Sequence, residues 1–418
     1  FQNWVNNSVG AIMFFNARSA VLQTISMINF INWSDNNPLK AGMAFANQPQ
    51  FWSDFSMIFN SDMLKQRRAG LQSDVNEAEI AQAVAGKKDK ASAAIAYLLQ
   101  KGFLPTQMAD SFAISMGGAS FYRNRFNTYK KQGLTEAQAK EKAFADFQQT
   151  SEVAQQSADP ALISGQQAGP LGRLILAFQN TPMQYARLIK KSVLDLKNGR
   201  GDVKTNISKI LYYGAVQNII FSSLQSALFA GLFDDDEEML ESKKARALNT
   251  SIDSLLRGMG IAGASVSTIK NMILQFNKQS EKGYRADYAY VAIDAVNLSP
   301  PIGSKIRKLY SSLMTYKFNR KIIPQMGMDI DNPAFLAVAN VISAATNIPA
   351  DRVIMKINNL RASADVNNET WQRIAMFMGW NTWDVGVKNP QVEALKKSNK
   401  KSSSSNWRVK RLQDKRKN

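Results

Sequence analysis

Asp234, Asp235, Asp236, Glu237 and Glu238 form an unbroken run of five carboxylates, the oxygen-ligand chemistry that suits Mg²⁺ or Ca²⁺. The run lacks the spaced alternation and turn glycine of a calcium-binding loop, and Lys243, Lys244 and Arg246 follow it. Acidic residues at the head of a helix favour its macrodipole without any metal, and the spacing favours that reading. Asp329-Ile330-Asp331 carries two carboxylates of an Asp-x-Asp metal motif, but Asn332-Pro333 stands where a third would have to follow. Pro333 instead predicts the opening of a helix, with Asp331 or Asn332 near its cap. Neither grouping is expected to be catalytic or to hold a cofactor.

The second kind of clustered chemistry is cationic. The last 23 residues hold Lys396, Lys397, Lys400, Lys401, Arg408, Lys410, Arg411, Lys415, Arg416 and Lys417 against one Asp, with Trp407 interleaved. Such a tail suits neutralisation of backbone phosphates plus one stacking ring, and without a base-reading motif its binding would be independent of sequence. A solvated, solubilising tail is the plainer alternative. Arg187, Lys190 and Lys191 share one face of a predicted helix, opposite Tyr185, Leu188 and Ile189, and suit either solvent or phosphate.

What is missing limits the rest. The 418 residues include no histidine and no cysteine, which removes the Ser-His-Asp relay, the thiolate nucleophile, the disulfide and any zinc site built on Cys or His. Chemistry would fall to Asp, Glu, Lys, Ser, Tyr or a hard cation, so a binding or structural protein is expected rather than an enzyme. Lys and Arg outnumber Asp and Glu by 52 to 33, and the net charge of +19 calls for an anionic partner: double-stranded DNA first, an anionic membrane surface second. The start at Phe1-Gln2-Asn3-Trp4 has no basic leader region, so no signal peptide is expected; the absent initiator Met suggests a processed or trimmed piece of a longer chain.

The elements that must position these groups are helices. No Val/Ile/Thr alternation bounded by hairpin turns is found, whereas Thr135-Glu136-Ala137-Gln138 has the form of a capping box opening a helix to about Gln156. Asp74-Val75-Asn76-Glu77 opens a shorter one ending near Gly86, and Thr181-Pro182 predicts an N-cap and first-turn proline. Further helices are predicted at 8–32, 50–60, 107–130, 203–231, 240–257, 263–278, 301–317, 334–346, 350–365 and 369–378. Residues 210–233 are the longest uncharged stretch, about 36 Å as a helix and enough to cross a bilayer. Gln217, Asn218, Ser222, Gln225 and Ser226 gather on one half of it, which favours a packed helix over an inserted one. The expected fold is all-α, an extended multi-helix array with a disordered basic C-terminal tail. Its expected regions are 1–158, 159–300, 301–395 and the tail 396–418, with breaks near 159–170, 199–202 and 297–301.

Four segments carry a family resemblance: Ala20 through Trp33 with Asp35-Asn36-Asn37-Pro38; Leu174 through Tyr185; Gly258 to Asn271; and Trp371-Gln372-Arg373-Ile374 through Gly379-Trp380-Asn381-Thr382-Trp383-Asp384. In order, and over most of the chain, they are similar to the giant polyvalent virion proteins of tailed phages, especially the crAss-like podophages. The resemblance implies a helical, non-enzymatic cargo protein held in the portal-tail barrel or capsid interior and delivered into the host cell with the DNA. Portal and tail-barrel proteins, and other copies of the chain, are the partners it implies. Two alternatives follow: a membrane-active helical module in an ejection conduit, contacting the host membrane, or an accessory fragment of a virion RNA polymerase polypeptide. The complete Asp-x-Asp-x-Asp-type signature is absent, and no catalytic residue carries over from these motifs.

Overall fold

The computed structural model describes residues 2–14, 16–31, 35–69, 97, 99, 101–155, 164–216, 248–249 and 252–399. Every regular element among them is helical, so the fold is all-α. Two units divide the chain, Phe1–Ser304 and Lys305–Asn418.

In the first unit, α1 (Gln2–Met13), α2 (Ala17–Gln23) and a 3₁₀ helix (Thr24–Phe30) replace the single helix predicted over 8–32. The break has a local cause: the Asn16 side chain accepts the N–H of Ser19 at 3.1 Å, capping a new helix where the old one would have continued. Then come α3 (Pro38–Ala46), α4 (Gln48–Phe59), α5 (Asp62–Arg68), α6 (Leu104–Lys131) and α7 (Glu136–Ala154). The capping box at Thr135 and Gln138 is formed as predicted, with each side chain accepting the other residue's backbone N–H. The predicted helix starting near Asp74 lies outside the described residues.

α6 is the axis of the core. Phe51 and Ile58 of α4, Met63 and Leu64 of α5, Phe30, and Ala143 and Phe147 of α7 pack with its residues Ile114, Ala119, Phe121 and Tyr122. Phe30 stacks on Phe147 with centroids 5.9 Å apart, and burying each such ring contributes about 1.5–3 kcal/mol. Two adjacent glycines in the middle of α6 make this packing possible. A Cβ on Gly117 would fall 2.3 Å from the Met27 carbonyl oxygen, and one on Gly118 2.3 Å from Cε2 of Phe147. The glycine pair gives up helix propensity of about 1 kcal/mol per residue for that approach. Ion pairs fasten the same helices: Arg67 to Asp110, Arg123 to Asp54, and Arg125 to Asp35 and Asp146.

The rest of the unit includes α8 (Pro170–Ile175), α9 (Asn180–Lys197), α10 (Val203–Leu211), a π-helical turn (Tyr212–Val216), α11 (Ile261–Ser280) and α12 (Ala289–Val296), with short helical turns at Gly165–Ala168 and Gly283–Arg285. The π turn interrupts the helix predicted over 203–231; residues 217–233, and with them most of the long uncharged stretch, lie outside the described residues, as does Asp234–Glu238. Among the described residues no helix is long and apolar enough to cross a membrane.

The helix α13 (Pro300–Asn319) contains the boundary between the units, and α14 (Pro333–Thr346), α15 (Ala350–Ala364) and α16 (Thr370–Phe377) follow. Asn332 caps α14 by accepting the N–H of Ala334 at 3.0 Å, with Pro333 in the first turn. Asn347, at φ 62°, ends it. Asp331 is spent on Arg361 at 3.1 Å, and the Asp329 carboxylate accepts the Asp331 N–H at 3.0 Å, so the Asp-x-Asp pair serves the turn before α14.

Candidate nucleic-acid interface

The residues Arg187, Lys190 and Lys191 belong to α9, whose first residue is Asn180 with Gln179 at the cap position. The predicted cap at Thr181 is therefore displaced by two residues. Its cause is Phe178, which turns the chain at φ 65° so that Gln179 donates back to the Leu176 carbonyl at 3.0 Å and the helix begins at once. Pro182 then occupies the first turn, where its missing N–H would have had no intrahelical partner anyway.

Tyr185, Ile189 and Ser192 make the packed face of α9. Tyr185 stacks on Tyr213 with centroids 5.0 Å apart, Ser192 is buried, and Gly214 lies beside Ile189. A polar clasp holds this face to the core. Asn29 donates to the Ala154 carbonyl at 3.1 Å and to the Tyr185 hydroxyl at 3.2 Å, while the Tyr212 hydroxyl donates to Asn29 Oδ1 at 3.0 Å. Gln184 adds a bond to the Glu152 carbonyl at 3.2 Å. Burial, with the neighbouring Tyr185 second, pushes the Tyr212 and Tyr213 phenols far above the usual tyrosine range.

Turned away from that face, Arg187, Lys190, Lys191 and Lys197 fall within an arc of about 120° at 100° per residue. The three lysines are exposed, and Arg187 is half-buried, its guanidinium held below the usual arginine value by burial; arginine stays charged under any such shift. Four helical cations on one arc offer a row of donors to phosphate oxygens.

The structure adds exposed cations beyond those that sequence spacing had singled out. α9 and α10 pack as a hairpin across Gly199-Arg200-Gly201, both glycines being in the left-handed region at φ 64° and 71°. Arg200 donates its backbone N–H to the Asp195 carbonyl at 2.7 Å, and Asp202 caps α10 by accepting the N–H of Thr205 at 2.7 Å. Exposed Lys204 and Lys209 lie on α10, and exposed Arg200, on the turn, pairs with Asp195 at 3.4 Å. Residues 180–211 thus hold seven Lys/Arg against Asp195 and Asp202, a surplus of five positive charges. The signal was available as a charge count across the glycine turn; a reading that stops at helix ends divides it.

Of the C-terminal cations, Lys396 and Lys397 sit exposed on a helical stretch at 390–399 that Asn389 caps by accepting the N–H of Val392 at 3.1 Å. Lys396 pairs with Glu393 at 3.6 Å. Lys400, Lys401, Trp407, Arg408, Lys410, Arg411, Lys415, Arg416 and Lys417 lie outside the described residues. No group of three or more carboxylates able to hold a metal occurs among the described residues. No protein-family model, curated protein or solved structure matches the chain.

Proposed function

We propose that this chain is a non-enzymatic helical cargo protein of a tailed-phage virion, packed beside the genome in the portal-tail barrel or capsid lumen and delivered with it. The observation that carries the DNA-facing part is the cation row of α9, set opposite the tyrosine face that anchors the hairpin, with further exposed cations on the turn after it and on α10. Such an arrangement suits sequence-independent contact with backbone phosphates, and the basic C-terminal segment adds to it. The assignment to a virion rests on the resemblance of the four sequence segments. Packing among neighbours suits the outer faces of two long helices. Val266, Ile269, Ile273 and Phe276 of α11, and Leu309, Leu313 and Tyr316 of α13, are exposed at helical spacing, a pattern that fits contact with portal or tail-barrel subunits or with other copies of the chain.

The test is the salt dependence of duplex binding. Each neutralised phosphate contributes about 0.9 to the slope of log K against log salt, so K190Q/K191Q/K197Q is expected to lower the slope by about 2.7. A chain ending at Leu395 is expected to lose further slope. Duplex binding with a slope unchanged in both variants overturns the proposal.

A further inference from the structure

The turn between α9 and α10 contains Asn198-Gly199, the one Asn-Gly pair in the sequence. Asparagine is a thermolabile residue because its carboxamide carbon lies within reach of the next residue's backbone nitrogen. A following glycine has no Cβ to crowd that approach and leaves the backbone free to turn. At this position the space is open: a Cβ on Gly199 would meet nothing within 4 Å, and Asn198, Gly199 and Arg200 are all exposed. No group among the described residues bonds the Asn198 carboxamide. Other asparagines are held. The Asn206 side chain donates to the Arg200 carbonyl at 2.9 Å, and that of Asn60, which precedes Ser61, donates to the Ser56 carbonyl at 2.9 Å.

The folded turn keeps the two reacting atoms apart. Asn198 ends α9 at φ −97° and ψ 8°, a conformation that turns the Gly199 nitrogen away from the Asn198 side chain. The Asn198 N–H donates to the Leu194 carbonyl at 3.0 Å, and the Gly199 N–H to the Leu196 carbonyl at 3.2 Å. Beyond them, the Arg200 N–H on Asp195 and the Asp202 cap of α10 close the turn. Reaction requires release of the Gly199 N–H and rotation about the Cα–C bond of Asn198. Only the end of α9 has to fray for this, and exposed helix ends open far more readily than a core.

We propose that Asn198 is a site of spontaneous deamidation, at a rate set by opening of the α9–α10 turn. The Gly199 nitrogen attacks the Asn198 side-chain carbon. A new C–N bond closes a succinimide ring, and the side-chain nitrogen leaves as ammonia, carrying the proton that Gly199 gives up. Water then opens the ring at one carbonyl or the other, giving aspartate or isoaspartate. Each conversion replaces a neutral group by an anion, so the positive surplus of residues 180–211 falls from five to four. The new charge stands at the C-terminal end of α9, where the helix dipole opposes it. Isoaspartate also routes the backbone through its Cβ, lengthening the connection to α10. The proposal does not rest on the DNA-packing reading.

The experiment holds the full chain at pH 8, folded and in urea, and digests it with pepsin at acid pH. The Asn198 and Asn60 peptides are then followed by mass spectrometry, with isoaspartate counted by isoaspartyl methyltransferase labelling. In urea Asn198 is expected to convert about tenfold faster than Asn60, which lacks the following glycine. The folded chain is expected to convert severalfold more slowly than the chain in urea. D202A, which removes the α10 cap, is expected to speed conversion at Asn198 severalfold in the folded chain without speeding it at Asn60. D202N, a cap of similar quality without the charge, is expected to match the wild type. The proposal is overturned if Asn198 converts no faster than Asn60 in urea, or if D202A leaves the folded rate at Asn198 unchanged. A rise in D202A shared equally by Asn60 would point to global unfolding and overturn control by the turn.

Discussion

Arg67 is 1% exposed, and both its Nε and Nη2 donate to Asp110 Oδ2, at 2.9 and 2.8 Å; Gln23 donates to Oδ1 of the same carboxylate at 3.0 Å. A buried pair this well bonded need not add net stability, because desolvating both ions offsets their attraction. Removing one partner is a different matter, since it strands the other charge. R67M is therefore expected to cost about 3–5 kcal/mol, and R67M/D110L to recover most of that loss, as read from urea-denaturation midpoints. A single-variant loss near zero, or a double variant no better than R67M, would mean that Asp110 finds another partner or water.

The α9–α10 hairpin makes its own prediction, through pH. A phenol whose folded-state pKa is raised binds its proton when the unfolded chain has already lost it. Its contribution to stability is thus complete below the ordinary tyrosine value near 10 and is lost as pH climbs toward the raised value. For Tyr212 and Tyr213, both raised by burial, the loss amounts to about 1.4 kcal/mol per pH unit per phenol above that point. Denaturation midpoints at pH 8 and pH 11 are expected to differ less in Y212F/Y213F than in wild type; equal alkaline losses would refute the buried clasp. Local chemistry made much of this legible in advance. The capping box at Thr135, the Asn332-Pro333 opening and the glycine break at 199–202 are each decided within a few residues, and each was readable. The break at Asn16 and the start of α9 depend on which of several polar side chains captures the backbone, and on the left-handed Phe178, which no local rule favours. Cation groupings were legible along one helix, as with Arg187, Lys190 and Lys191. Charge pairings were illegible between helices: Lys308 and Asp351 meet at 2.9 Å only once α13 lies beside α15.

At the scale of the molecule, each unit has contacts that join segments distant in sequence, as Lys308 and Asp351 do across 43 residues in the second. From α14 to α16 the second unit packs consecutive helices on one another. The first unit joins distant segments: Arg67 and Asp110 are 43 residues apart, Asp54 and Arg123 69, Asp35 and Arg125 90. The glycine-notched α6 is the surface that covers Phe51 and Ile58 of α4. This has a consequence for the ribosome. α4 is complete at Phe59 and α6 at Lys131, so during synthesis at about 5–20 residues per second the aromatic face of α4 waits roughly 4–14 s for its cover. Nascent chains stalled before Leu104 are expected to be cut readily within α4 by a protease, and chains stalled well beyond Ala154 to resist; early resistance would mean that the first helices find a cover of their own. Through that interval the emerging segment presents an apolar surface that a chaperone can hold or a neighbouring nascent chain can capture, which makes the yield of folded protein depend on translation speed between residues 60 and 131.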